Sequence, residues 1–165
     1  MKKLLLITAM IAIAFTAQGQ NEKQHSVEIG AAGIYSRELT AKKNHGNVGA
    51  EIIAAYSLDD NWRVRGTAEV NGFIPNGFDR KGKTLVGISY EIAPFYLLLE
   101  GGVVCDPSSQ IKFSLTGDAG AGLRFKVGKS GCIFTECIVD RSTNGQAWRS
   151  NVEVKAGYLF SILVK

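Results

Sequence analysis

The sequence has 165 residues, 19 of them glycine and 3 proline, with 19 lysines and arginines against 15 acidic residues and a formal net charge of +4. A chain of this length accommodates one domain. Two of the positive charges, Lys2 and Lys3, precede an apolar leader, and without them 17 cations face 15 acids, a balance that gives no motive for a nucleic-acid partner.

After Lys2 and Lys3, Leu4 to Phe15 is apolar except for Thr8, and Ala17-Gln18-Gly19 supplies small residues at a cleavage spacing. This pattern predicts a secretory signal peptide over residues 1–19 and a mature domain over 20–165. The apolar run is shorter than the roughly 20 residues a membrane-spanning helix needs. No later stretch reaches that length either, so residence in a membrane requires a closed barrel.

From residue 26 onward the apolar period is two, which predicts an all-β domain of eight strands. The first runs from Ser26 to Arg37, with Val27, Ile29, Ala31, Gly33 and Tyr35 opposite Glu28, and the polar loop Glu38 to Gly46 follows. The second, Asn47 to Leu58, sets Val48, Ala50, Ile52, Ala54 and Tyr56 against Glu51. Asp59-Asp60-Asn61 is a tight turn of residues whose short side chains cap their own backbone. The third strand begins Trp62-Arg63-Val64-Arg65 and carries Glu69 on the arginine face before the loop Ile74 to Gly82. The fourth, Lys83 to Ile92, has Val86, Ile88, Tyr90 and Ile92 against Glu91, and Ala93-Pro94 ends it because proline cannot continue a paired central strand.

The fifth strand, Phe95 to Cys105, is apolar on both faces except for Glu100, and Asp106-Pro107-Ser108-Ser109 follows. The sixth runs from Ile111 to Val127, its alternate positions including Lys112, Asp118, Arg124 and Lys126. It is longer than the fifth, and its excess is expected to project on the long-loop side. The seventh, Cys132 to Arg141, places Glu136 and Asp140 on one face; the eighth places Arg149, Asn151, Glu153 and Lys155 opposite Val152, Val154, Ala156, Tyr158 and Phe160.

Two orientations fit such alternation. In water the apolar face would line a lipocalin-like ligand cup, whereas in lipid it points outward and the polar face fills the lumen. The lipid orientation is favoured by three independent features. The strand number is even. The connections after strands two, four and six are tight and the others longer, the fifth-to-sixth being the shortest of the long set. Tyr56, Trp62, Tyr90, Phe95, Phe125, Tyr158 and Phe160 all lie near the short-turn end, as an interfacial girdle would.

The lumen then receives Glu28, Glu51, Glu69, Glu91, Glu100, Asp118, Glu136, Asp140 and Glu153 with Arg63, Arg65, Lys112, Arg124, Lys126, Arg149 and Lys155. These charges are nearly balanced and are expected to pair across an interior with no open pore. Cys132 and Cys137 share a strand roughly 16 Å apart, beyond disulfide reach, and neither they nor Cys105 has a metal-ligand spacing with His25 or His45. The thiols read as small hydrophobes of a β-wall. No catalytic or cofactor motif is present.

The turn Tyr56-Ser57-Leu58-Asp59-Asp60-Asn61-Trp62 and the closing Gly157-Tyr158-Leu159-Phe160 resemble the small eight-stranded outer-membrane barrels, similar to OmpX and the membrane domain of OmpA, and the porin-family proteins of Bacteroidota, whose secreted proteins Gln20 after the leader also resembles. The resemblance covers nearly all of the mature chain. It implies a monomer in the outer membrane of a Gram-negative envelope, inserted by the barrel-assembly machinery and surrounded by outer-membrane lipid and lipopolysaccharide. Its expected role is structural or interactive. In this resemblance Ser161 to Lys165 depart from the usual aromatic ending, and no peptidoglycan-binding domain is expected. Related scaffolds include lipid A acyl-modifying enzymes, for which His45, Asp79, Ser108 and Ser109 offer only a thin set of rim residues. A narrow solute pore is the other alternative. The basic loop residues Arg80, Lys81 and Lys83, with Lys42 and Lys43, could meet lipopolysaccharide phosphates or simply face water.

Overall fold

A computed structural model describes residues 26–39, 46–73, 81–106, 113–143 and 148–163. They form eight strands: β1 (Ser26–Glu38), β2 (Gly46–Ser57), β3 (Trp62–Phe73), β4 (Lys81–Ile92), β5 (Phe95–Cys105), β6 (Phe113–Val127), β7 (Gly131–Thr143) and β8 (Trp148–Leu163). Each pairs antiparallel with its chain neighbours, and β8 pairs with β1, so the sheet is a closed barrel without an edge. The leader, His25, Lys42, Lys43, His45, Asp79, Arg80, Ser108, Ser109 and Lys112 lie outside the described residues.

The register sets the barrel's dimensions. Stepping from partner to partner, Val27 leads through Tyr56, Val64, Ile88, Leu99, Ala119, Val139 and Val152 back to β1 at Arg37, a stagger of ten residues. Eight strands with this stagger tilt by about 40° and enclose a cylinder of roughly 8 Å radius at the backbone. An interior of that width is filled by side chains alone.

Side-chain parity then separates two environments. Ile52, Val86, Leu97, Leu99, Leu115 and Val139 point outward and are at least half exposed. Glu51, Glu69, Glu136 and Lys155 on the alternate positions are at most 2 % exposed. An exterior of this polarity excludes the lipocalin-like cup, which needs the reverse.

Three turns close the short end. In 58–61, Asp59 Oδ1 accepts hydrogen bonds from the backbone N–H groups of Asn61 at 2.8 Å and Trp62 at 2.6 Å, the self-capping expected of short polar side chains. Ala93-Pro94 carries a cis peptide, and Gly128 takes φ +69°, a left-handed conformation that suits glycine. At this end Tyr56, Trp62, Phe95, Phe125, Tyr158 and Phe160 face outward, while Tyr90 is half-buried under Trp62 with ring centroids 4.8 Å apart.

Two expectations fail here. The fifth-to-sixth connection spans residues 106–112, and the shortest of the long set is instead 144–147, after β7. The excess of β6 also lies at the other end. Phe95 of β5 pairs with Leu123, so Arg124 to Val127 continue past β5 on the short-turn side, paired with β7. The bend at Ala93-Pro94 ends β5 early, and the Arg124 backbone N–H bonds the Pro94 carbonyl at 2.8 Å where the ladder stops.

Candidate functional site

The inward positions of all eight strands converge on three groups of charge. Nearest the short turns, the carboxylates of Glu28 and Glu91 meet the guanidiniums of Arg63 and Arg124; Arg124 contacts Glu28 at 2.5 Å and pairs closely with Glu91, as does Arg63. Hydroxyls complete this group. Arg63 Nε donates to Ser57 at 3.1 Å, and Ser161 donates to Glu28 at 3.0 Å.

In the middle, Arg65 is the hub. Its guanidinium forms a two-pronged pair with Glu136 and lies 3.3 Å from Glu100 and 3.7 Å from Glu51. The planar fork suits a carboxylate held by two parallel N–H donors. Tyr96 donates its hydroxyl to the same Glu136 at 2.5 Å.

The third group is built on two lysines. Lys155, fully buried, contacts Glu51 at 2.9 Å, pairs closely with Glu69 and lies 3.6 Å from Glu153. Lys83 lies 2.6 Å from Asp118, 3.5 Å from Asp140 and 3.6 Å from both Glu69 and Glu153. Thr116 and Asn151 donate to the two oxygens of Asp140 at 2.5 and 2.8 Å. Oxygens of Glu69, Asp118 and Glu153 lie within 4.8 Å of one another, the spacing of a metal site. The Lys83 ammonium contacts all three, taking the position a cation would hold.

The structure therefore brings together Glu28, Glu51, Arg63, Arg65, Glu69, Glu91, Glu100, Asp118, Arg124, Glu136, Asp140, Glu153 and Lys155. It leaves two expected members out. Lys126 stands on the overhanging end of β6, beyond the β5 wall, and Arg149 stands near the opposite rim beside Ser142; both are exposed. Lys83 enters instead. It is 4 % exposed, not part of a solvated basic loop, because it shares the parity of Glu91 and lies opposite Glu69 and Val104.

The near balance of charge is also corrected. Among the described residues nine interior carboxylates face five cations, Arg63, Arg65, Lys83, Arg124 and Lys155. The pair of pairs nearest the short turns is neutral, so the excess acid lies around Arg65, Lys83 and Lys155.

The interior is not wholly polar. Ala32, Ile53, Cys132, Phe134 and Leu159 form one buried apolar cluster, and Tyr96, Leu98 and Ile138 form another. Each follows from parity with a charged neighbour on its strand, such as Ile53 with Glu51 and Leu98 with Glu100. Between the short-end charges and Arg65 there is a cavity of about 20 Å³ lined by Arg63, Ser89, Tyr96 and Leu159, room for about one water. The thiols separate by parity too: Cys132 is buried inside, Cys137 faces outward, Cys105 is near the long-loop rim, and all are free.

No protein-family model matches this sequence, and no curated protein matches it. Solved structures do. Neisserial surface protein A superposes with a TM-score of 0.59 over 81 % of this chain and 96 % of its own, at 12 % identity. The N-terminal β-barrel domain of Pseudomonas aeruginosa OprF gives 0.51 over 84 % and 100 % at 17 % identity. Ail, the attachment invasion locus protein of Yersinia pestis, gives 0.50 over 85 % and 100 % at 20 % identity. The fold is that of the small outer-membrane β-barrels. At these identities the likeness extends to the fold alone, and it agrees with the family resemblance of the turn and final-strand residues.

Proposed function

We propose that this chain is an outer-membrane protein of structural or interactive role, exported by a leader over residues 1–19, whose monomeric barrel is closed to solutes and performs no catalysis. The observation that carries the reading is Lys155, 0 % exposed at the centre of the lumen and held by carboxylates of β2, β3 and β8. A side chain so placed ties β8 to β2 and β3 across the lumen. Buried charges persist only when paired, and breaking one such pair by removing a partner costs about 3–5 kcal/mol, so the closed state is the stable one. Function then falls to the surfaces that remain, the long loops and the lipid-facing wall.

The deciding experiment fractionates cells expressing the full chain and compares boiled with unboiled samples of the outer-membrane fraction by electrophoresis. A folded barrel is expected in the outer membrane, migrating differently before and after boiling. Recovery of the mature chain in the soluble periplasm overturns the reading. In planar bilayers the purified barrel is expected to give no discrete conductance steps; regular unitary steps would replace the closed-lumen reading with a pore.

A further inference from the structure

Three carboxyl groups stand side by side on the inner wall: Glu100 of β5 lies opposite Asp118 of β6, and Asp118 lies opposite Asp140 of β7. Directly paired positions bring Cβ atoms within about 5 Å, and like charges so placed repel. The Asp118 and Asp140 carboxyls come within hydrogen-bond reach of each other. All three residues are at most 4 % exposed, so water does not screen them.

The neighbouring cations do not cover this row. Lys83 of β4 is shared among Asp118, Asp140, Glu69 of β3 and Glu153 of β8. Lys155 of β8 is shared among Glu51 of β2, Glu69 and Glu153. Five carboxyl groups thus face two ammonium groups. Arg65 of β3, which reaches Glu51 and Glu100, is already forked onto Glu136 of β7.

The two members of the closest pair are not alike. Asp140 is surrounded by donors, the Thr116 hydroxyl at 2.5 Å on one oxygen and the Asn151 amide at 2.8 Å on the other. Asp118 accepts from Lys83 at 2.6 Å through Oδ2, whereas its Oδ1 is buried and meets no hydrogen-bond donor. A bare carboxylate oxygen held out of water is costly. An O–H at the same position finds its acceptor in Asp140.

We propose that one proton is a resident part of this barrel, carried on Asp118 Oδ1 and donated to Asp140, so that an acid and a carboxylate tie β6 to β7. The tie stands two residues inside Thr116 and Ser142, which pair toward the long-loop rim. A hydrogen bond from a neutral acid to a carboxylate is a strong one, and one shared proton relieves two carboxyls that cannot both ionise at this range. The barrel is then favoured by acid. An aspartate of the unfolded chain is ionised above about pH 4, so folding takes a proton from solution, and the folding constant falls about tenfold per pH unit for as long as the folded barrel keeps that proton. The inference goes beyond the role proposed above and needs only the closed interior.

The test uses the mature barrel, residues 20–165, refolded into phosphatidylcholine vesicles in potassium buffer with a chelator. Infrared spectra at pH 7 compare the parent with protein carrying 13C at the aspartate side-chain carboxyls. A carbonyl band of protonated carboxyl that shifts with the label is expected, as is its loss in Asp118→Asn. In urea titrations from pH 5 to pH 7, the parent's folding constant should fall with pH more steeply than that of Asp118→Asn, by about tenfold per pH unit, because the introduced amide donates to Asp140 without a titrating proton. Asp140→Asn, which removes an acceptor of two hydrogen bonds, should be the less stable variant at pH 7. If Asp118→Asn fails to fold, the labelled parent decides through its infrared band alone. The absence of a label-shifted band, equal pH slopes in parent and Asp118→Asn, or greater stability of Asp140→Asn overturns the shared proton. Stabilisation of the parent but not of Asp118→Asn by millimolar calcium overturns it in favour of a bound metal cation. A closed, heat-modifiable outer-membrane barrel without the band sinks the proton alone, whereas a soluble periplasmic chain sinks the role proposed above.

Discussion

Replacing Lys155 with methionine probes the interior most sharply, because the substitution keeps the volume and removes only the charge. Lys155 faces Glu51 at 2.9 Å and Glu153 at 3.6 Å and pairs closely with Glu69, all of them buried. At an effective dielectric of about 20, a pair at this range is worth roughly 5–6 kcal/mol before desolvation. The barrel need not bear that whole loss, since it can take up one proton and restore its interior charge. Protonating an ordinary glutamate at pH 7 costs about 3.7 kcal/mol, and at pH 5 about 1 kcal/mol. The variant should therefore lose about 3–4 kcal/mol at pH 7, in keeping with other broken buried pairs, and the deficit should shrink toward about 1 kcal/mol at pH 5. Urea titration of the barrel folded in phospholipid vesicles measures this directly, as a midpoint shift of about 2 M for a slope near 2 kcal/mol/M. Adding Glu69→Gln to Lys155→Met should recover most of the loss. A variant within about 1 kcal/mol of the parent at pH 7, or a deficit that stays flat to pH 5, would show that Lys155 is not an essential counter-charge.

Three further outcomes follow from the wall and its lining. Leu99→Arg places a charge on the outer face at mid-strand, where Leu99 is 60 % exposed; in vesicles it should cost about 2–4 kcal/mol, and a neutral effect would mean that this face meets water. Gly122→Val should destabilise by about 1–3 kcal/mol through overpacking, because a Cβ at Gly122 would lie 2.4 Å from the Tyr96 ring; retention of parental stability and of tyrosine fluorescence would show that Tyr96 has room to move. A lipid-soluble maleimide should label Cys137 in the folded barrel and reach Cys132 only after unfolding, since the first faces outward and the second is 3 % exposed; equal labelling rates, read by mass spectrometry of the peptides, would invert the assigned parity.

Parity along a strand does not by itself place every residue. Lys83 follows Arg80 and Lys81 as the end of a basic run, and only its even spacing to Glu91 marks it as an inner-face residue. Tyr96, Phe134 and Ile138 are apolar residues of the lining, and an apolar side chain by itself gives no sign of whether it faces lipid or lumen. Their parity with Glu100 and Glu136 was the available signal. Lys126 and Arg149 fail differently: their parity is inward, but the wall ends before it covers them. Strand-end geometry depends on where the neighbouring strand turns, and that is not written in the strand itself.

Taken alone, the sequence determined the all-β class, the eight strands, the tight turns at Asp59, Pro94 and Gly128, and the polarity of most wall positions, because a period of two and the chemistry of turns are local properties of the chain. Only the tertiary structure decided the ten-residue stagger, the three charge groups and their acid excess, and the central place of Lys83. Those are distances between strands remote in the sequence, set by the single register at which eight tilted strands close.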